Sequence, residues 1–208
     1  MMGQKQSASR PESTGPSLSD HFAHLDREKF ARNMVTVAGQ SQKLIGEFLR
    51  RWADRENPGP LDPLNISSAF FALLKAMGAD RQTVAQTQTQ LWHDWMGLWE
   101  TTARRMLGDT SAAPMVAPPP GDRRFRDAEW QQNEIFDFIK QSYLLSANAM
   151  QSMVASLNGI PEGERKRVEF YTRQFADAFA PTNFLLTNPE VMRATLETSG
   201  ENLVKGLD

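Results

Sequence analysis

The chain of 208 residues contains no cysteine, only three histidines and two tyrosines, and its 23 basic and 25 acidic residues leave a formal charge of −2. Without cysteine it can form no disulfide, no thiolate metal site and no thiolate nucleophile. That composition fits a reducing, cytoplasmic setting. The near-neutral balance gives no electrostatic case for nucleic acid, whose binders carry a basic patch or stripe. No run approaches the roughly eighteen apolar residues that would read as a membrane-spanning helix. G-x-S-x-G, H-E-x-x-H, P-loop and G-x-G-x-x-G spacings are all missing. No catalytic residue, cofactor or metal ligand is therefore expected. His93 beside Asp94 reads as a surface pair, and the mixed charges of Glu162–Glu169 read as a solvated helix face. The opening MMGQKQSASRPESTGPSLSD lacks an apolar signal-peptide core and is expected to be disordered through residue 18.

What remains is helix punctuation, and the expected fold is all-α: a helical bundle with antiparallel hairpins and a Pro-rich internal linker. A first long helix is predicted from about Ser19 to Arg55. Phe30, Met34, Val37, Ser41, Leu44 and Phe48 recur at spacings alternating between four and three residues, widened by Ile45 and Trp52. Such a seam asks for a partner helix, either in the same bundle or in a second chain. Asn57-Pro58-Gly59-Pro60 breaks the chain. A short apolar helix follows, from Asn65 as cap to Met77, with Gly78 as its C-terminal stop. Asp80 caps a third helix ending near Leu107–Gly108. Trp92, Trp95, Met96, Trp99, Ala103 and Met106 share one of its faces. That stripe is either core or a contact surface for a hydrophobic partner.

Residues 109–121, DTSAAPMVAPPPG, read as a Pro/Ala-rich linker between a helical segment, 19–108, and a second helical region, 122–208. In the second region Asp127 caps a short turn through Trp130. A long helix then spans Asn133–Leu157, its inward face drawn through Ile135, Ile139, Ser142, Tyr143, Ser146, Met150, Met153 and Leu157, with Phe136 and Phe138 broadening it. Asn158-Gly159-Ile160-Pro161 joins it to an antiparallel helix, Glu162 to about Phe179, with Val168, Tyr171, Phe175 and Phe179 on one side. Arg173 and Asp177 are spaced to pair. Ala180-Pro181 stops that helix, and Asn188-Pro189-Glu190 starts another.

The wording of three stretches goes beyond this punctuation: DRRFRDAEW (Asp122–Trp130), RVEFYTRQFADAF (Arg167–Phe179) and APTNFLLTNPEVMRATLETSGENLVKGL (Ala180–Leu207). They resemble the N-terminal region of class I polyhydroxyalkanoate synthases, from roughly Asp122 to the last residue. On this resemblance Phe125, Trp130, Arg173, Gln174, Asp177, Pro181, Asn183, Phe184, Asn188 and Pro189 are the signature positions. Asn133-Glu134 stands where many relatives carry Asn-Pro. The resemblance implies a parent that polymerises 3-hydroxyacyl-CoA thioesters through a cysteine in a separate α/β-hydrolase-like region and releases CoA. It also implies a non-catalytic role for this chain: supporting that catalytic domain, homodimerisation, or attachment to the polymer granule or its proteins. The end after Leu207-Asp208 carries no cap signal, and a continuing chain is expected there. The alternative is a free-standing, phasin-like granule coat or scaffold. The expected contact residues are Phe30, Met34, Val37, Leu44, Phe48, Trp92, Trp95 and Trp99.

Overall fold

A computed structural model describes residues 18–53, 66–109 and 111–207. The expected disordered tail (apart from Leu18) and the Asn57–Pro60 break lie outside these residues. All regular structure among them is helical: α1 (Leu18–Ala23), α2 (Arg27–Ala53), α3 (Ile66–Ala79), α4 (Arg81–Met106), α5 (Glu129–Gln132), α6 (Glu134–Ser156), α7 (Glu162–Ala178), a 3-10 turn (Pro181–Asn183), α8 (Pro189–Glu197) and α9 (Glu201–Lys205). The fold is all-α. Among the described residues no helix is long and apolar enough to cross a membrane. The chain divides into two compact units, one holding residues up to Lys43 together with those from Arg193 onward, the other Leu44–Met192.

In the first unit the predicted single helix from Ser19 is broken. Asp26 accepts the Lys29 N–H on its side chain at 2.9 Å and the Phe30 N–H on its carbonyl at 2.9 Å, so it caps a new helix where the sequence reading ran straight through. α8 closes through Gly200, whose φ is +84° and whose N–H reaches the Thr195 carbonyl at 2.7 Å. A Cβ at that position would stand 2.9 Å from Met34 Cε and 3.3 Å from Asn33 Cβ, so glycine is needed for backbone angle and for space. Asn33 donates to the Ser199 carbonyl at 2.8 Å, and Lys29 pairs with Glu201 at 3.0 Å. Lys205, then Lys29, hold the Glu201 carboxyl down at about 2.

The second unit is organised on α6, which packs against α4, α5, α7 and the 3-10 turn, while α3 packs on α7 and α4. The α6–α7 link turns through Gly159 at φ +83°. Ala69 and Ala76 of α3 sit in one buried cluster with Val154, Leu157, Ile160 and Val168. Their small side chains, seven residues apart on one helix face, bring α3 close to the hairpin. Gly78 is inside α3, which runs on to Ala79, because Asp80 begins the next helix directly. One Asp80 oxygen accepts the Thr83 N–H at 3.2 Å; the other accepts the Asn158 N–H at 3.1 Å and its side-chain amide at 2.8 Å. One carboxylate thus caps α4 and ties the α3–α4 corner to the α6–α7 link.

The face of α6 that is buried differs from the predicted one. Ile135 is 60% exposed, whereas Phe136, Asp137, Lys140, Gln141, Leu144, Ala147 and Val154 are buried. The polar trio explains the rotation. Asp137 Oδ1 accepts from Lys140 Nζ at 2.6 Å; its Oδ2 accepts from Gln141 Nε2 at 2.7 Å and from Arg105 of α4. Lys140 and Arg105 also donate to the Trp130 and Gln131 carbonyls, at 2.6 and 3.1 Å, which lie at the end of α5. Gln141 Oε1 accepts the N–H groups of Met115 and Val116 at 2.7 and 3.2 Å. The Pro/Ala-rich stretch is therefore fastened to α6 within the second unit, and Met115 lies over Gly97 of α4, where a Cβ would come within 2.9 Å of its Cε.

Two outcomes are expected. Asp137→Ala leaves the buried Lys140 and the half-buried Arg105 without their counter-charge and lowers stability by about 3–5 kcal/mol in urea denaturation; adding Arg105→Met and Lys140→Met restores much of the loss, since an apolar replacement of a whole ion cluster is often neutral. For Asp80 the Asn158 N–H, followed by that of Thr83, holds the folded carboxyl at about 2, below its ordinary value of 3.8. Its contribution is complete above the ordinary carboxylate range and is lost as the pH falls through the lowered value. The Tm difference between the parent chain and Asp80→Ala should shrink from about pH 5 towards about pH 2; a difference constant over that range contradicts the assignment.

Candidate interaction surfaces

The signature positions at the start of the family-like region form an anchor. Phe125 and Trp130 are buried, 5% and 1% exposed, with ring centroids 5.0 Å apart and nearly perpendicular. Trp130 also meets Phe136 edge-on at 5.8 Å, and Phe125 meets Tyr143 at 6.0 Å. Arg124 covers the Phe125–Tyr143 end of this cluster, its guanidinium 5.7 Å from the Phe125 ring and 5.5 Å from the Tyr143 ring. It donates to Asp122 at 2.9 Å, to Asp177 of α7 at 2.8 Å and to the Tyr143 hydroxyl at 2.9 Å. Its own hydrogen bonds to Asp122 lower that carboxyl's pKa, and burial raises that of the Tyr143 phenol. Asp177, expected to pair with Arg173 one turn earlier, is thus drawn to Arg124 across the bundle. Arg173 and Gln174 are exposed on α7.

The turn after α7 is held by its own polar side chains. Asn183 donates to the carbonyls of Asp177 and Ala178 at 2.9 and 3.1 Å, and Thr187 to that of Pro181 at 2.7 Å. Asn188 donates to the Thr182 carbonyl at 2.8 Å and accepts the Glu190 N–H at 3.0 Å, capping α8. Pro181 and Pro189 are buried, and Phe184 is half exposed. These residues shape a loop and offer no reactive group.

Of the predicted contact seam, Phe30, Met34 and Val37 are half-buried, the first two against the Gly200 turn. Leu44 is 50% exposed. The side chains of Ile45, Phe48 and Trp52 lie outside the described residues. On α4 the inward side chains are Leu91, Trp95, Leu98, Thr102 and Arg105, the first, second and last of them half-buried. Apart from Trp95, which belongs to both, the tryptophan stripe is offset from that seam by one residue, about 100° round the helix. Trp95 and Trp99 still touch Phe138 of α6, with ring centroids at 6.1 and 4.7 Å. Trp92, Met96, Trp99 and Met106 face largely outward, Trp92 at 67% exposure. The stripe is therefore packed along one edge and open along the other.

A second apolar surface was not anticipated as one. The FFALLKAM run makes a strongly apolar helix, yet among the described side chains of α3 Ala69, Leu73, Ala76 and Met77 pack in the buried cluster while Phe70, Phe71 and Leu74 face solvent. On α7 Phe175 and Phe179, expected on one side with Val168 and Tyr171, are likewise exposed, along with Phe170; Val168, Thr172 and Ala176 take the buried positions because smaller side chains suit the close approach of α3 and α6. Between α3 and α7, floored by Met150 of α6, runs a groove of ≈ 470 Å³ rimmed by Phe70 and Phe175 and lined by no charged residue. Ring contacts extend the aromatic surface from Phe70 to Phe71 and from Phe175 to Phe179. The signal in the sequence was apolar residues on every side of α3, more than one buried face can use. Exposed apolar groups gathered in this way mark interaction sites rather than surface scatter. Among the described residues no three His, Asp or Glu side chains converge as metal ligands.

The two α4 faces separate by substitution. Leu98→Ala, at a fully buried position, should cost about 2–5 kcal/mol, whereas Trp92→Gln should change stability by less than about 0.5 kcal/mol. Thermal melts of both variants check the assignment; a large loss for Trp92→Gln means that the stripe is internal.

Residues 121–208 match the family described as "Poly-beta-hydroxybutyrate polymerase (PhaC) N-terminus". The chain is 45% identical over 128 residues to a poly(3-hydroxyalkanoate) polymerase of Methylorubrum extorquens, covering 62% of this chain and 21% of that one. It is 34% identical over 196 residues to the polymerase subunit PhaC of Rhizobium meliloti (strain 1021), covering 92% and 32%, and 30% identical over 164 residues to that of Cupriavidus necator, covering 77% and 26%. The similarity thus reaches well into the first half, beyond the limit near Asp122 expected from the motifs. No solved structure matches the chain. The chain spans about a third or less of the length of these relatives. From the anchored Arg124–Trp130 segment to the braced Asn183–Asn188 turn, this chain belongs to the family of the N-terminal region of poly-beta-hydroxybutyrate polymerases.

Proposed function

We propose that this chain is a non-catalytic region of a poly(3-hydroxyalkanoate) polymerase, and that it supplies apolar contact surface to the rest of the enzyme, to a second copy or to the polymer granule. The parent would pass a growing polyester through a cysteine thioester and release CoA. This chain has no cysteine and so holds no thiolate for that step. The observation that carries the reading is the pair of aromatic surfaces, on α3–α7 and on α4, in a chain that covers about a third of its relatives. Burying such side chains against a partner is the largest favourable contribution available to it. A cytoplasmic site at the granule surface follows from the same reading.

The outward edge of the α4 stripe favours a second reading, a phasin-like coat that lies on the polymer by itself. The two are separated by mixing the purified chain with the remaining, separately produced part of a matched polymerase and following CoA release from 3-hydroxybutyryl-CoA. The chain alone should release none, and together the parts should exceed the remainder alone. Turnover by the chain alone overturns the non-catalytic role. Flotation with polymer granules but no effect on the remainder favours the coat.

A further inference from the structure

We propose that a polar groove between α4 and α6 binds an extended peptide segment of a partner protein, one that brings a single basic side chain to Asp94. The site is separate from the two aromatic surfaces and needs neither the polymer nor the rest of the enzyme. Its volume, ≈ 460 Å³, falls in the range of small-ligand clefts, and no aromatic residue lines it. Trp92 of the exposed stripe lies about 200° round α4 from Gln90 in the groove wall.

What the groove can hold follows from the part of it that is already filled. α4 and α6 run antiparallel: Asp80 meets Asn158 at one end of the pair, and Arg105 meets Asp137 at the other. Between those ends Met115 lies over Gly97 of α4, and Gln141 of α6 accepts the Met115 and Val116 N–H groups. Asp94, Gln90 and Gln86 precede Gly97 by three, seven and eleven residues; Leu145, Asn148 and Ser152 follow Gln141 by four, seven and eleven. Each set keeps to one stripe of its helix. The two stripes that grip the Pro/Ala-rich stretch therefore run on, and over the next turns their side chains line the open groove.

The filled part shows how this helix pair takes a segment that is neither helix nor strand: an α6 side-chain amide captures its backbone N–H groups, and a glycine of α4 makes room for it. The open part repeats that chemistry. Asn148 is two turns along from Gln141 in the same row, and Gln86 and Gln90 line the α4 wall. Each of these amides carries a donor and an acceptor, the pair that a peptide backbone also presents. Among the described residues Gln86, Asn148 and Ser152 make no side-chain hydrogen bond, and Gln90 uses only its amide N–H, on Asp94 at 2.9 Å. Asp94 is half-buried, is the one charged residue of the lining and has no cation paired with it. A lysine or arginine of the bound segment supplies that cation through a charge-assisted hydrogen bond. From Leu145 to Ser152 the helix rises about 10 Å, the length of about three extended residues. A partner held here leaves the tryptophan stripe clear, so this unit can dock a protein on one side of α4 while its other side meets an apolar body.

The experiment follows the isotope-labelled side-chain amide signals of Gln90 and Asn148 in the whole chain. The probe is a capped hexapeptide of alternating alanine and serine with one central lysine. The comparisons are the same peptide with glutamate for lysine, the same peptide with an N-methylated backbone, and maltohexaose. The lysine peptide should move both signals with saturation and bind about tenfold or more tighter than either altered peptide, the worth of a charge-assisted or backbone hydrogen bond. Asp94→Asn, which keeps an acceptor for Gln90, should abolish the preference for lysine over glutamate. Gln86→Ala with Asn148→Ala, both at exposed positions, should weaken binding with an unchanged Tm, read at Gln90. Phe70→Gln, on the α3–α7 surface, should leave it intact. Four results overturn the proposal: no movement of either amide with the lysine peptide, an equal response to an altered peptide, equal or tighter binding of maltohexaose, or amide shifts that follow protein concentration without probe and so report a second copy in the groove. Failure here leaves the CoA-release experiment unaffected, so the two readings fail separately.

Discussion

Asp137 is a carboxylate 3% exposed, and four segments of chain depend on it. It meets Arg105 from α4 and Lys140 and Gln141 from its own helix, and those three in turn hold the end of α5 and the backbone at Met115–Val116. A buried charge tolerates few alternatives: each cation must be satisfied by the carboxylate and by carbonyls at fixed distances, or the site is worse than an apolar core. That requirement sets the rotation of α6 about its axis, and with it which of its apolar residues turn inward. It also explains why a stretch with three consecutive prolines and no periodicity lies in place without any helix or strand of its own.

The same logic recurs in smaller form. Asp80 uses one oxygen for a helix start and the other for a distant turn. Arg124 joins Asp122, Asp177 and two aromatic rings, so the family-like segment enters α6 and α7 at a defined angle. In the first unit, Gly200 lets Met34 and Asn33 approach a left-handed turn that any Cβ would fill. Polar and steric constraints of this kind fix geometry, whereas burial of Leu, Val and Ala in the cluster around Val154 supplies most of the stabilisation.

With orientation settled by buried polar groups, the large aromatic residues are left free for the surface. Phe70, Phe71, Phe170, Phe175 and Phe179 are each more than half exposed, and Trp92 and Trp99 are too. Alanine, valine and threonine occupy the tight α3–α7 contact instead. A helical unit built in this way keeps its fold and still offers uncharged aromatic surface to another body, the property on which the proposed role rests.

Much was legible in the residues alone. Helices, caps and turns follow from local chemistry, so Asp80, Gly108, Asn133, Gly159 and Asn188 mark their boundaries correctly, and the wording after Asp122 identified the family. The local exceptions are Asp26, a cap just ahead of the apolar seam, and Gly78, which α3 runs through. Which side of each helix faces inward was decided elsewhere. Apolar periodicity ranks faces by greasiness, and it places Ile135 inside while passing over Asp137, Lys140 and Gln141. Asp137 and Lys140 neutralise each other locally, but the site closes only with groups distant in sequence, and Arg105 and Met115 are 32 and 22 positions from Asp137. No local pattern encodes that meeting. The sequence by itself determined the helices and their ends, because those depend on neighbours along the chain; the tertiary structure decided the buried faces, the groove and its aromatic rim, because those depend on which distant groups satisfy one another's charge and volume.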